Sequence, residues 1–118
     1  MDRIDAFFGA GGTLARAHPQ YERRAGQHEM ARLVEDVLRD GGRAMLEAGT
    51  GTGKTLAYLV PALSCGRRVV VSTGTRNLQD QIADKDLPFL RDRCGLPISA
   101  CVMKGRCLLY TSDAADEL

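Results

Sequence analysis

The sequence has no C-x-x-C pair, no internal repeat and no low-complexity linker. Nor does any apolar run approach the roughly 20 residues that a membrane helix needs. Its four cysteines, Cys65, Cys94, Cys101 and Cys107, stand at irregular spacings. That argues against a zinc site closed within the chain and against a secreted disulfide framework. Cys65, Cys94 and Cys101 read as buried or incidental thiols. The opening MDRIDAFFGAGG lacks a basic segment followed by an apolar core, so a cytoplasmic location and no membrane partner are expected. Charge of one sign is also lacking, with 16 basic against 15 acidic residues and a net +1. Any nucleic-acid surface must therefore be a local patch. With 44% hydrophobic and 26% charged residues, the composition is globular and soluble rather than disordered. A length of 118 residues suits one small domain or a part of a larger one.

Hydrophobic spacing organises the rest. In YERRAGQHEMARLVEDVLRDGG, Met30, Val34, Val37 and Leu38 recur at helical spacing and Gly41-Gly42 supplies a stop, predicting an amphipathic helix of about 25–40. The run Ala44-Met45-Leu46 predicts a short strand, followed by a Gly/Thr loop and an apolar helix from Lys54 to just before Gly66. RRVVVST at 67–73 has the composition of a strand covered on both faces, and a helix crossing between two such strands makes a right-handed βαβ unit. RNLQDQIADKDLPFLRDRCG predicts one helix broken or kinked near Pro88, and ISACVMK at 98–104 a third strand. This order is the start of a doubly wound α/β domain with a parallel sheet and flanking helices.

The chemistry concentrates in AGTGTGKT, Ala48-Gly49-Thr50-Gly51-Thr52-Gly53-Lys54-Thr55, which fits the [AG]-x-x-x-x-G-K-[ST] form of the phosphate-binding loop. Gly49, Gly51 and Gly53 let the backbone fold back and bring amide N–H groups against phosphate oxygens. The loop runs into a helix N-terminus whose amides and dipole favour an anion. Lys54 would reach the β- and γ-phosphates, and the Thr55 hydroxyl would take one Mg²⁺ position. The bland alternative is a glycine-rich turn without a ligand. Ala48 stands where the strict form has glycine.

Two further stretches flank the loop. Arg24-Ala25-Gly26-Gln27 precedes the first long helix, where the Gln27 amide could donate to adenine N7 and accept from N6; a surface glutamine is the default reading. STGTRNLQDQI offers Thr73, Thr75, helix-terminal amides and Arg76 as phosphate donors, against a plain helix cap made by Thr75.

Taken in order, YERRAGQHEMA, LEAGTGTGKTLAYLVPAL, VVVSTGTRNLQDQI and KDLPFLRDRCGLP…MKGR resemble the N-terminal part of the DinG/XPD-like iron–sulfur DNA helicases of superfamily 2, of the DinG/YoaA type, over about residues 5–106. The resemblance implies a RecA-like P-loop motor domain, here incomplete and truncated. It matches Gln27 with Arg24 to the adenine-selecting Q-motif, Gly49 to Thr55 to motif I, and Thr73 to Gln81, with Thr75 and Arg76 among them, to motif Ia, which contacts single-stranded DNA. It further implies ATP with Mg²⁺, 5′ to 3′ unwinding, two motor domains and a four-cysteine [4Fe–4S] domain.

The sequence also departs from that pattern. It contains no D-E-A-H-type box for the second Mg²⁺ contact, no second motor domain and no arginine finger. The chain itself is therefore expected to bind ATP weakly at most and to hydrolyse it no faster than background. The family's KGR is commonly followed by Asn-Tyr-x-Cys, whose cysteine is the first cluster ligand. Here Cys107 arrives immediately, too early for that role, so no cluster ligand is assigned in this chain. Cys107 to Glu117, CLLYTSDAADE, is instead what a transposase sequencing adapter gives when translated in one frame. The expected organisation is an N-terminal segment at 1–24, the first part of the motor domain at 25–106 and a non-native tail at 107–118. Two other readings stay open. One is a different P-loop ATPase, such as a protein remodeller or small-molecule kinase. The other is a stand-alone nucleotide- or nucleic-acid-binding module, which predicts cooperative unfolding of the chain.

Overall fold

The computed structural model describes residues 3–18, 20–22, 24–49 and 53–103, and the backbone of 115–117. The chain divides into two compact units, Met1–Val70 and Val71–Leu118. Each is taken by itself below.

In the first unit, α1 (Arg3–Phe8) and α2 (Thr13–Ala17) are short, while α3 (Ala25–Asp40) and α4 (Lys54–Ser64) pack along each other as its main contact. The bounds of α3 follow the hydrophobic spacing, and its stop is the predicted one. Gly41 takes φ 82 and donates its N–H to the Val37 carbonyl at 2.8 Å, a positive-φ exit that glycine adopts without a Cβ penalty. The inward line of α3 is Gln27–Ala31, with Gln27 at 4% exposure and Ala31 at 0%; Met30, Val34, Val37 and Leu38 are half-buried beside it. Against this line α4 sets Ala57, Leu59, Val60 and Ala62. From α1 and α2 come Ile4, Phe7, Phe8 and Leu14. Burying each of the larger of these side chains contributes about 1.5–3 kcal/mol. Arg3 donates to the Ser64 carbonyl, a cation on the electronegative end of α4.

Asp5 fastens α1 to α3. Its carboxylate meets His28 Nε2 at 2.7 Å and receives a hydrogen bond from Arg32. The His28 bond, opposed by partial desolvation and aided by Arg32, holds the Asp5 carboxyl below its usual range.

In the second unit, α5 (Arg76–Gln81), a π-helical turn (Ile82–Asp86) and α6 (Leu87–Asp92) follow one another without interruption. The expected break near Pro88 takes this form. Proline offers no N–H and its ring crowds the carbonyl four residues back; the wider turn, with Leu87 N–H donating to the Ile82 carbonyl, absorbs that strain just before it. Ile82, Ala83, Leu87 and Leu90 form the buried side. Gln79 Nε2 donates to the Met103 carbonyl at 2.9 Å, tying α5 to β1 (Cys101–Met103).

The sheet departs from expectation. Among the described residues the only ladder is β1 with β2 (Ala115–Glu117), antiparallel, Val102 opposite Asp116. The third expected strand is thus present but shortened, and its partner is not parallel. Residues 44–46 and 67–73 form no strand, with Met45 at 99% and Val70 at 88% exposure. The physical reason is that a strand exists only with a ladder partner, and parallel strands also need cover on both faces. The described residues supply neither to these two runs.

Two carboxylates should give the units opposite responses to acid. Asp5 has a depressed folded-state pKa, so its contribution is present above about pH 4, near the unfolded value, and is lost as pH falls through the folded value. The urea midpoint of the first unit should drop over that range in the wild type and not in Asp5→Asn. Burial pushes the Asp86 carboxyl up, with Lys85 opposing, and its Oδ2 is buried with no partner among the described residues. The charged form therefore costs stability at neutral pH, and stability returns as pH falls through the folded value. Asp86→Asn should raise the midpoint of the second unit at pH 7 and lose that advantage in acid.

Candidate functional site

The phosphate-loop pattern meets α4 at Gly53, which caps the helix in the left-handed region with φ 74 and ψ 32. Its carbonyl accepts twice, from Ala57 N–H at 3.3 Å and from Gln27 Nε2 at 3.0 Å. The first bond opens α4; the second ties its start to the first turn of α3. A Cβ on Gly53 would lie 2.3 Å from Gln27 Nε2. Glycine is therefore required here for two reasons, the backbone conformation and the closeness of that amide.

Gln27 is the one buried polar side chain among the described residues. Its Oε1 accepts from the Tyr21 hydroxyl at 2.7 Å while its Nε2 serves Gly53. A buried amide without partners would cost about 1–3 kcal/mol; both ends are met. The default reading as a surface glutamine does not hold, because the helical register of α3 turns position 27 inward with Ala31. Tyr21, in the irregular segment before α3, was not singled out from the sequence. The only signal was a hydroxyl-bearing aromatic six positions ahead of a glutamine at a helix start.

At the other end of the loop Lys54, exposed, donates from Nζ to the Ala48 carbonyl at 3.4 Å. This bond joins the two described ends of the loop. Thr55 is half-buried in the first turn of α4. A Cβ on Gly49 would meet nothing within 4 Å. Thr50, Gly51 and Thr52 lie outside the described residues. Arg24 caps α3 through its backbone only and pairs with Glu22 at 3.6 Å on the surface; no bond joins it to the Gln27–Gly53 pair.

The residues matched to the DNA-contacting motif lie in the second unit. Thr75 Oγ1 accepts from Leu78 N–H at 3.2 Å, so it is a helix cap, and Thr73 Oγ1 donates to the Thr75 carbonyl at 3.3 Å. Arg76 and Gln81 are exposed. At about 100° per residue Gln81 lies roughly 140° around α5 from Arg76, so the two do not share a face. Among the described residues no His, Cys, Asp or Glu group could hold a metal ion. Cys65 Sγ donates to the Ala62 carbonyl at 3.2 Å, and burial pushes the Cys94 thiol up. Cys107 lies outside the described residues.

The sequence profile described as DEAD/DEAH box helicase matches residues 26–111, from the residue before Gln27 through the phosphate loop and beyond β1. The chain belongs to that family. The family implies a RecA-like fold for it. The chain is similar to the ATP-dependent DNA helicase YoaA of Haemophilus influenzae, at 36% identity over 117 residues, covering 99% of this chain and 18% of the relative. It is 53% identical over 74 residues to the ATP-dependent helicase DinG of Mycobacterium tuberculosis, covering 59% of this chain and 11% of the relative. With the 3′-5′ exonuclease DinG of Bacillus subtilis it shares 39% over 98 residues, 80% of this chain and 10% of the relative. The chain thus spans 10–18% of the length of these relatives.

Gly53 and Gly49 give a matched pair of tests. Gly53→Ala should cost about 1–2 kcal/mol for the left-handed conformation alone and break the Gln27 contact, whereas Gly49→Ala should leave the unfolding midpoint unchanged. Urea titration of both variants measures the difference.

Proposed function

We propose that this chain is the nucleotide-binding N-terminal part of the first motor domain of an ATP-dependent DNA helicase, and that the whole protein unwinds DNA at the expense of ATP. The observation that supports this best is the Gln27–Gly53 hydrogen bond. It joins a candidate adenine reader to the last glycine of a phosphate-loop pattern, so that base and phosphate recognition would act on one ligand. Two of the three relatives compared carry helicase names. The third is named an exonuclease, yet its similarity covers the same ATP-binding pattern.

The residues present fit a nucleotide phosphate with Mg²⁺. Gly53 is left-handed at a helix start, the space over Gly49 is open, and Lys54 stands at the loop's mouth. Gly49, Gly51 and Gly53 would admit the phosphates, Lys54 would neutralise them and the Thr55 hydroxyl would hold Mg²⁺. When bound, the metal supplies charge that offsets the developing negative charge on the phosphoryl oxygens. Arg24 and Gln27 would face the base. Thr73, Thr75, Arg76 and Gln81 would contact single-stranded DNA through its backbone, without reading sequence; with Thr75 engaged as a cap, Arg76 is the stronger candidate. A cytoplasmic location follows from such work on DNA. An iron–sulfur cluster finds no fitting group among the described residues, and no step here depends on one.

In the whole protein the exposed runs at 44–46 and 67–73 would become parallel strands of the motor's sheet, α4 forming the crossover between them. The segment from Cys107 we read as adapter-derived, with native sequence through Arg106. Codons there that differ from the adapter string would overturn that reading.

The functional reading is tested at two levels. The chain should bind Mg·ATP detectably by NMR titration, and Lys54→Ala should lose that binding at unchanged stability. In a full-length relative, ATPase activity should rise on adding single-stranded DNA. Substituting the position that matches Arg76 by Gln should weaken DNA binding and reduce the salt slope of its affinity by about 1. Nucleotide binding indifferent to Lys54, or an ATPase indifferent to DNA, would turn the assignment toward another class of protein.

A further inference from the structure

We infer that Tyr21 is a positioning residue for nucleobase selection, because its hydroxyl closes the orientation of the Gln27 amide. The inference rests on the reading of Gln27 as the base reader given above. The two ends of a glutamine amide have nearly the same shape but opposite hydrogen-bonding sense. Which end faces the base therefore decides which base is accepted. With Oε1 toward the exocyclic position and Nε2 toward N7, adenine makes two good bonds. Guanine makes one, and sets its O6 against Oε1. With the amide reversed, adenine loses both bonds while guanine exchanges one good contact for another. Selection for adenine thus depends on holding one orientation before the base arrives.

The structure holds it from both ends. The Gly53 carbonyl is only an acceptor, so at 3.0 Å it demands the Nε2 end; reversal would place two oxygens against each other there. The Tyr21 hydroxyl, at 2.7 Å from Oε1, then has a donor's role and no alternative. A hydroxyl alone would suit either end, so Gly53 sets the sense and Tyr21 completes the hold. An amide offers two N–H bonds and two lone pairs. These two partners use one of each, and the donor and acceptor that remain are the complement of adenine N7 and N6.

Burial adds a reason for the device. Gln27 is 4% exposed, so its amide is not oriented by bulk water. Tyr21 is half-buried and lies outside any helix, its backbone held by a turn in which its N–H donates to the His18 carbonyl at 2.9 Å. Without its hydroxyl, Oε1 would lose its donor and the Gly53 bond alone would resist rotation about the last torsion. Adenine would then have to complete the ordering on binding, and guanine would meet less resistance to the reversed amide.

The experiment uses the whole 118-residue chain and Mg²⁺ complexes of ATP and GTP, titrated by NMR against wild type, Tyr21→Phe, Gln27→Ala and Lys54→Ala. Tyr21→Phe is expected to cut the preference for ATP over GTP by about threefold to tenfold, the size of one neutral hydrogen bond, mainly through weaker ATP binding. Equal changes for both nucleotides, or none, would overturn the inference. If Gln27→Ala keeps the wild-type preference, the base-reading role of Gln27 itself fails, and the inference with it. Lys54→Ala should weaken both nucleotides alike; no binding of either by the wild type sinks both readings. A second readout needs no variant. The wild-type Gln27 side-chain amide protons should be resolved, slow to exchange and shifted by ATP more than by GTP. Solvent-like amide protons in the empty chain would show that no hold exists.

Discussion

The hydrogen bond from Gln27 to the Gly53 carbonyl is the constraint on which the first unit is arranged. It fixes the start of α3 against the start of α4, the two helices whose packing makes up most of that unit. It also dictates residue types on both sides. Position 53 favours glycine because its backbone is left-handed, and a Cβ there would displace the amide from its bond. Position 27 needs a donor long enough to reach a carbonyl across the helix pair. Without the bond, the left-handed turn at Gly53 would keep its helical partner Ala57 but lose its tie to α3.

Much of this was legible in the residues, and the division follows a physical line. The spacing of Val34, Val37 and Leu38 with Gly41 gave α3, and the apolar run after Lys54 gave α4, since a helix makes its own backbone bonds and its bounds depend on local signals. Strands do not share that property. Val69 to Val71 and Ala44 to Leu46 have the composition of strands, but composition cannot supply the partner that a ladder requires. Ile98 to Met103 illustrates the boundary: exposed and half-buried positions alternate there, the strand period, yet only the paired residues Cys101 to Met103 become a strand.

The candidate site shows the same division. The pattern of Ala48 to Thr55 announces itself through residue types, because glycine, lysine and threonine are each needed for a stated reason. Gln27 was visible only as a possibility, since its inward register emerges when α3 packs against α4. Tyr21 was invisible, because a hydroxyl that orients an amide leaves no periodic or compositional trace. Thr75 carried two readings from the start; its hydroxyl caps α5, and Arg76 is exposed beside it.

The arrangement around Gln27 has a further consequence for how the two ends of a nucleotide would communicate. Gly53 stands between the amide and the lysine, one residue from each interaction: its carbonyl meets Gln27 and the next residue is Lys54. A displacement of the amide on base binding would act on the carbonyl that begins α4, and hence on the amides of that helix's first turn. On the proposed reading, base selection and phosphate binding would share one hydrogen-bonded chain, Tyr21 to Gln27 to Gly53. A glutamine, with a donor and an acceptor on one rigid plane, makes both bonds; an asparagine has the same amide on a stem one methylene shorter.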